Sequence, residues 1–306
     1  MKENILIIIK GLAMGTADII PGVSGGTVAF ITGIYERLLA ALSAIVSAST
    51  LHLLKGDVRS FWKGIDGTFL LCLFSGILLA IFSLSTLISW LLLTWPHLVW
   101  SLFLGLICAS IWHIGRQIRG WGWQTLICFF LGGVSAFGIT ISHFAQLPPS
   151  AENFFFGGFV AITAMILPGI SGSFILLLLG LYEPALQAIK TLDLSILVVF
   201  AGGCFLGLLM MSKVLTWAFK HFHDLTLAAL TGFMLGAMPK LWPWKETTSW
   251  RESSHGVLVP FEQIPVSPER FEQISGQSAD VFLAVMFIII GASVVLLIDF
   301  LGSVRR

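Results

Sequence analysis

Two short polar stretches interrupt an apolar chain: Pro21-Gly22-Val23-Ser24-Gly25-Gly26-Thr27 and, 147 positions later, Pro168-Gly169-Ile170-Ser171-Gly172-Ser173. Their residue types suit the binding of an anion without a cationic side chain. Proline removes a backbone donor and ends a helix, and the glycine after it loosens the chain. A helix that restarts at Ser24 or Ser171 presents free N–H groups and about half a positive charge. Small side chains leave that end open. Ser24, Gly25, Gly26, Thr27, Ser171, Gly172 and Ser173 are therefore candidates to hold an anionic group through amides and hydroxyls. Close helix packing is the plainer use of the same small residues, but packing requires neither the break at Pro21-Gly22 and Pro168-Gly169 nor its duplication.

The duplication extends beyond the two turns. Aligning Gly11–Leu42 with Gly158–Ile189 gives identity at 13 of 32 positions, including Thr16/Thr163, Gly33/Gly180, Tyr35/Tyr182 and Glu36/Glu183. Residues 153–182 run for 30 positions without a charged side chain. One helix of that length would rise about 45 Å, too long for a hydrocarbon core of about 30 Å, and two full spans need about 40 residues. The intermediate length predicts a re-entrant hairpin of two half-helices, each roughly 20 Å long, turning at Pro168. A broken backbone at that depth survives only where protein or a water-filled cavity surrounds it.

The rest of the chain must position these hairpins inside a membrane. Apolar residues make up 57% of the sequence and charged ones 11%, against about 25% charged in soluble domains, which excludes an ordinary globular enzyme. The expected fold is an all-α polytopic membrane protein of two inverted-topology repeats, each a re-entrant helical hairpin plus three transmembrane helices. The first repeat covers 1–147, with its hairpin at 5–35 and spans near 68–93, 97–115 and 122–142. The second covers 148–306, with its hairpin at 153–182 and spans near 194–219, 224–239 and 280–302. Tryptophans 90, 95, 100, 112, 121 and 123 gather at the span ends as interfacial anchors. The polar stretch 245–279, with its echoed Phe261–Ile264 and Phe271–Ile274, reads as a solvated loop with local turns.

Charge placement sets the orientation. With three spans and one returning hairpin per half, the N-terminal side carries 12 Lys and Arg and the other side 5. The positive-inside rule then puts both termini in the cytoplasm and the 245–279 loop outside. Inverted repeats with helices broken at the midplane describe a class of secondary transporters. Among charged residues, Asp18 lies three positions before the first break, where its repeat counterpart is Met165. It either caps backbone, pairs with Lys10, or has a proton- or substrate-linked role. Glu36 and Glu183 either cap half-helices or carry a coupling proton. Arg37 is a candidate counter-charge for an anion or an interfacial anchor.

Motifs for hydrolase, transferase or nucleotide chemistry are missing from the sequence. No metal site is expected: His221-x-His223 reads as an interfacial loop, and Cys72, Cys108, Cys128 and Cys204 lie singly in predicted spans. No cofactor is expected, although a proton or sodium ion could be coupled, and no nucleic-acid partner is implied.

The residues also carry a family resemblance. Gly11–Thr27, Gly33–Arg37, Ala164–Ser173 and Lys240-Leu241-Trp242-Pro243-Trp244 resemble the bacterial polyprenyl-phosphate translocase family known as domain of unknown function 368, over about 5–302. The resemblance implies a flippase of the bacterial inner membrane that returns undecaprenyl phosphate from the outer to the cytoplasmic leaflet, where the carrier is reused in cell-wall and surface-polymer synthesis. The residues by themselves leave a transporter of a small soluble anion open. A lipid carrier requires a site open sideways to lipid, a soluble anion a sealed polar cavity. A lipid phosphatase would require clustered His, Arg and Asp, which the chain lacks.

Overall fold

A computed structural model describes residues 2–20, 23–45, 57–141, 147–252 and 258–303. Pro21 and Gly22, the first break, lie outside the described residues. The described chain is mostly helical, as the apolar runs require. Its first hairpin comprises α1 (Lys2–Ile19) and α2 (Gly25–Ile31), followed by α3 (Tyr35–Ala44) and α4 (Val58–Gly64). Three long helices follow, α5 (Gly67–Thr94), α6 (Pro96–Gly115) and α7 (Trp123–Ile141). The second hairpin is α8 (Ala151–Ile166) and α9 (Gly172–Leu178), with α10 (Tyr182–Thr191) after it and then α11 (Leu194–Ala237). Strands β1 (Lys245–Glu252) and β2 (Leu258–Pro265), α12 (Pro268–Ser275) and α13 (Val281–Ser303) complete it.

Helices α5, α6, α7 and α11 are long and apolar enough to cross a membrane. Their outward faces bear Phe82, Phe130, Val134 and Phe205, and α13 likewise exposes Phe282. Such surface suits lipid and would be an aggregation hazard in water. The molecule is a multi-pass membrane protein.

Both hairpins go out and come back. Lys10 on α1 donates to the Thr32 carbonyl just past α2, at 2.7 Å. In the second, the Leu147 amide, before α8, donates to Leu179 O, after α9, at 2.9 Å. The returning arms are shorter than the equal half-helices expected from the sequence. At 1.5 Å per residue, 7 residues rise only about 10 Å. Each short arm ends at a glycine in the left-handed region, Gly33 (φ +69°) and Gly180 (φ +73°). L-residues with a side chain rarely adopt it, and the chain bends there by 118° and 109° into α3 and α10.

Glycines let backbones approach at matching places in both halves. A Cβ on Gly76 of α5 would strike the Ile8 carbonyl of α1, and one on Gly203 of α11 the Phe155 carbonyl of α8. Across the halves, Gly105 of α6 abuts Ile288 of α13, and Gly232 of α11 abuts Phe129 of α7. Small residues are what allow such close helix contacts in lipid.

The spans expected at 194–219 and 224–239 are the two arms of α11, helices joined at a kink where Phe222 leaves helical geometry (φ −138°, ψ 50°). One region differs from the sequence reading. The 245–279 stretch is a folded cap rather than a loop with local turns. Strands β1 and β2 pair antiparallel, with Glu246 opposite Ile264. Ser267 caps α12 by accepting from the Arg270 amide, Pro268 occupies its first turn, and Gly276 ends it at φ +66°. Trp244, Phe271, Ala279 and Ala284 form a small core beneath, closed by a 2.9 Å bond from Trp244 Nε1 to the Ala279 carbonyl.

Candidate functional site

Residues that follow the first break meet the second Pro-Gly turn. Ser24 Oγ donates to the Met165 carbonyl at 3.0 Å, and Tyr35 OH to the neighbouring Ile166 carbonyl at 3.0 Å. Thr27 Oγ1 accepts from the Gly169 amide at 2.8 Å. The last turn of α8 has carbonyls with no helical partner because Pro168 and the extended Leu167 stop the helix. Side chains of the first hairpin supply those partners. A Cβ on Gly26 would stand 2.8 Å from Met165 O and 2.9 Å from Ile166 O, so only glycine fits between the turns without displacing backbone. Ser24, Thr27 and Pro168 are almost wholly buried.

At the first turn, the helix end is closed. The Asp18 carboxylate accepts from the Gly25 amide at 2.7 Å, Ser24 Oγ from Gly26 at 3.1 Å, and the Ser24 carbonyl from Thr27 at 2.9 Å. The carboxylate stands where an external anion would go, which departs from the expectation that small side chains leave this end open. Lys10 turns instead to Thr32. Asp18 thus caps backbone.

At the second turn, the helix end is open. Met165 replaces Asp18, and Ser171 caps no amide of α9. Its hydroxyl lies 2.6 Å from that of Ser173. The first amides of a helix have no partner within it, and those of Gly172, Ser173 and Phe174 meet no acceptor among the described residues. Gly169, at φ +108°, packs the turn against Ala237 and Met234 of α11. The arrangement offers amide and hydroxyl donors to one anion at one turn.

The other sequence candidates lie elsewhere. Arg37 is not brought to the turns. It bonds Asp66 at 2.7 Å and Glu3 at 3.1 Å and covers the Phe69 ring at 4.4 Å, so two carboxylates already balance its charge at the N-terminal end of the bundle. Glu36, in the first turn of α3, lies 3.3 Å from His223, which also faces Asp224 at 3.3 Å, beside the α11 kink. Glu183 occupies the first turn of α10. Both glutamates suit helix starts, and neither reaches a Pro-Gly turn. Among the described residues, no group of His, Cys, Asp and Glu could hold a metal.

Three features were not singled out as site residues from the sequence. Tyr35 bridges the hairpins, and its identity with Tyr182 in the repeat was the available signal. Lys240 lies in the short turn after α11 with its ammonium 4.2 Å over the ring of Phe174, the third residue of α9. Lys245, at the start of β1, stands 3.4 Å over the Trp100 ring and donates to the Lys240 carbonyl at 2.7 Å. Burial, and then the Lys240 charge, push the Lys245 ammonium well below the ordinary lysine value. An apolar cleft of about 470 Å³ opens between α7 and the two arms of α11 at the kink, lined by Cys128, Leu215, Phe222, Leu230 and Phe233, and it reaches Leu167 beside Pro168.

Comparison with known proteins now bears on this site. Residues 14–259 match the VCA0040-like family, described as undecaprenyl phosphate translocase-like. The chain is 48% identical over 289 residues to a protein of Vibrio cholerae named polyprenyl-phosphate transporter, covering 94% of each chain. It is 33% identical over 258 residues to a protein of the same name from Staphylococcus aureus, covering 77% of this chain and 85% of that one. No solved structure matches. The family match contains both Pro-Gly turns and Lys240-Leu241-Trp242-Pro243-Trp244, and the chain belongs to the undecaprenyl phosphate translocase-like family.

Proposed function

We propose that this protein moves undecaprenyl phosphate across the bacterial inner membrane, from the outer to the cytoplasmic leaflet, so that the carrier can be loaded again for cell-wall and surface-polymer synthesis. The names of the two relatives support the substrate class. The observation that carries the site is the unequal pair of turns: one helix end closed by Asp18, the other open at Ser171, Gly172 and Ser173. The phosphate binds the open end through amides and hydroxyls, while Ser24, Gly25, Gly26 and Thr27 hold the turn in shape. Neutral donors suit a transporter, which must take a phosphate out of water and release it again. The isoprenoid chain need not leave hydrocarbon, and the apolar cleft reaching Leu167 gives it a lateral path.

The hairpins are re-entrant, and the two halves are inverted repeats that rock against one another. This reading is supported by the recurring glycine contacts, Gly76 on Ile8 matching Gly203 on Phe155. Both termini lie in the cytoplasm, with the β-hairpin cap outside. Asp18 is the coupling residue: on taking a proton it loses the charge that favours the Gly25 amide, freeing the first helix end when the second is loaded.

The test is purified protein in liposomes that carry fluorescent undecaprenyl phosphate in one leaflet. The lipid should exchange leaflets faster than in empty liposomes, and Asp18→Asn should flatten the pH dependence of that rate. Accumulation of a soluble anion without lipid movement would replace this reading with the soluble-anion transporter. For orientation, a cysteine at Ser275 in a cysteine-free background should react with an impermeant thiol reagent applied to whole cells, and one at Ser303 should not.

A further inference from the structure

The lysines over Phe174 and Trp100 belong to no step derived so far. Ordinary lysines at a membrane surface point into water or pair with carboxylates. These two do neither: both are half-buried, and neither has a carboxylate within ion-pair distance among the described residues. Three acids at the cap are engaged elsewhere, Asp280 facing His97 at 3.4 Å, Glu272 accepting from the Ala279 amide at 2.8 Å, and Glu246 facing Arg270 at 3.7 Å. An aromatic face attracts an ammonium without neutralising it. Lys245 Nζ lies 2.7 Å from the Lys240 carbonyl, which sets the two lysines side by side, and two ammonium groups so placed repel one another. A single anion between them would relieve that repulsion. Lys240 rests on Phe174, next in sequence to Ser173, and Phe174 occupies the position that Thr27 fills in the first hairpin.

We infer that Lys240 and Lys245 form a capture site for a phosphate monoester at the cap end of the bundle, which receives the headgroup of the lipid before it passes to the second Pro-Gly turn. The inference rests on the transport function proposed above and adds a binding station to it. A phosphate carrying close to two charges suits two ammonium groups better than the single charge of a phosphodiester lipid does. Discrimination against bulk anionic lipid follows from that difference.

The experiment is equilibrium binding of undecaprenyl phosphate to the full chain in nanodiscs containing phosphatidylglycerol, with undecaprenol as the uncharged comparison. Variants are Lys240→Gln, Lys245→Gln, the double variant, and the double arginine variant that keeps the charge. The double glutamine variant should bind undecaprenyl phosphate at least tenfold more weakly with undecaprenol binding unchanged, and the arginine pair should recover most of the loss. Binding within twofold of the parent in the double glutamine variant would overturn the site, as would an equal loss for undecaprenol, which would make the lysines mere anchors of the cap. Inorganic phosphate should compete only at far higher concentration than the lipid. Equal potency would assign the site to free phosphate instead. If the parent protein binds and moves undecaprenyl phosphate while the double glutamine variant is unimpaired, only this inference fails. A parent that neither binds nor moves the lipid removes the proposed function itself.

Discussion

At the first Pro-Gly turn, Asp18 holds the Gly25 amide and Ser24 that of Gly26; at the second, Met165 and Ser171 stand in the same places and hold neither. Thr27 reaches across to Gly169, whereas Phe174 in the equivalent position carries a lysine on its ring. Two copies of one motif have thus divided a task. Polar side chains of the first copy bond the backbone of the second, and among the described residues the Gly172, Ser173 and Phe174 amides of the second stay free. A helix break needs its stranded groups satisfied, so a pair of breaks in contact can satisfy one fully and leave the other poised for a ligand.

Variants that erase this difference test it most severely. Met165→Asp would set a carboxylate beside Gly172, whose absent Cβ would lie 3.5 Å from the Met165 Cβ. It should close the second end as Asp18 closes the first and abolish binding of undecaprenyl phosphate, with Met165→Leu close to the parent. Unchanged binding in Met165→Asp would show that the phosphate goes elsewhere. Gly172→Val should stop transport while the protein stays in the membrane, because its Cβ would stand 2.7 Å from the backbone carbonyl of Ala161. Gly25→Val should also stop transport, but Gly25→Ala should be milder than Gly172→Ala, since its nearest obstacle at 2.5 Å is the movable Asp18 side chain.

Smaller effects should separate bracing from binding. Asp18→Ala removes a helix cap and should cost about 1–2 kcal/mol of stability, read as a lower unfolding temperature in detergent. Ser24→Ala loses a bond between the hairpins and should cost about 1 kcal/mol, with only weakened transport. Ser171→Ala should leave stability within about 0.5 kcal/mol and act on phosphate affinity. Equal stability losses for Ser24→Ala and Ser171→Ala would show that both turns brace alike.

Much of this was legible in the residues. Apolar runs marked the long helices because hydrocarbon demands them, and proline with glycine inside such a run marked a break. Backbone capping by Asp18 was one of three readings the sequence left open; which amide it holds was not legible, since Asp18 and Gly25 are seven residues apart and only the folded turn brings them to 2.7 Å. The position of Arg37 depended on Glu3 and Asp66, partners 34 and 29 residues away. The cap left a signal that composition obscured: Ser267-Pro268 before Glu269 and Gly276 after Ser275 are helix start and stop residues. The break at Phe222 has no proline or glycine to announce it, yet the polar run Lys220–Asp224 placed it between the spans expected at 194–219 and 224–239.

The glycine seams also set an order of assembly. Gly105 and Gly291 join α6 to α13, and Gly132, Gly232 and Gly236 join α7 to α11, so the middle spans of the early chain find their glycine-seam partners in the late chain. During synthesis, α6 and α7 must wait in the bilayer until much of the second half has been inserted. Until then their small-residue grooves face lipid, where other nascent helices can pair with them. Premature termination would therefore leave no self-sufficient half, and a fragment ending before α13 should be a substrate for membrane quality control rather than a working remnant.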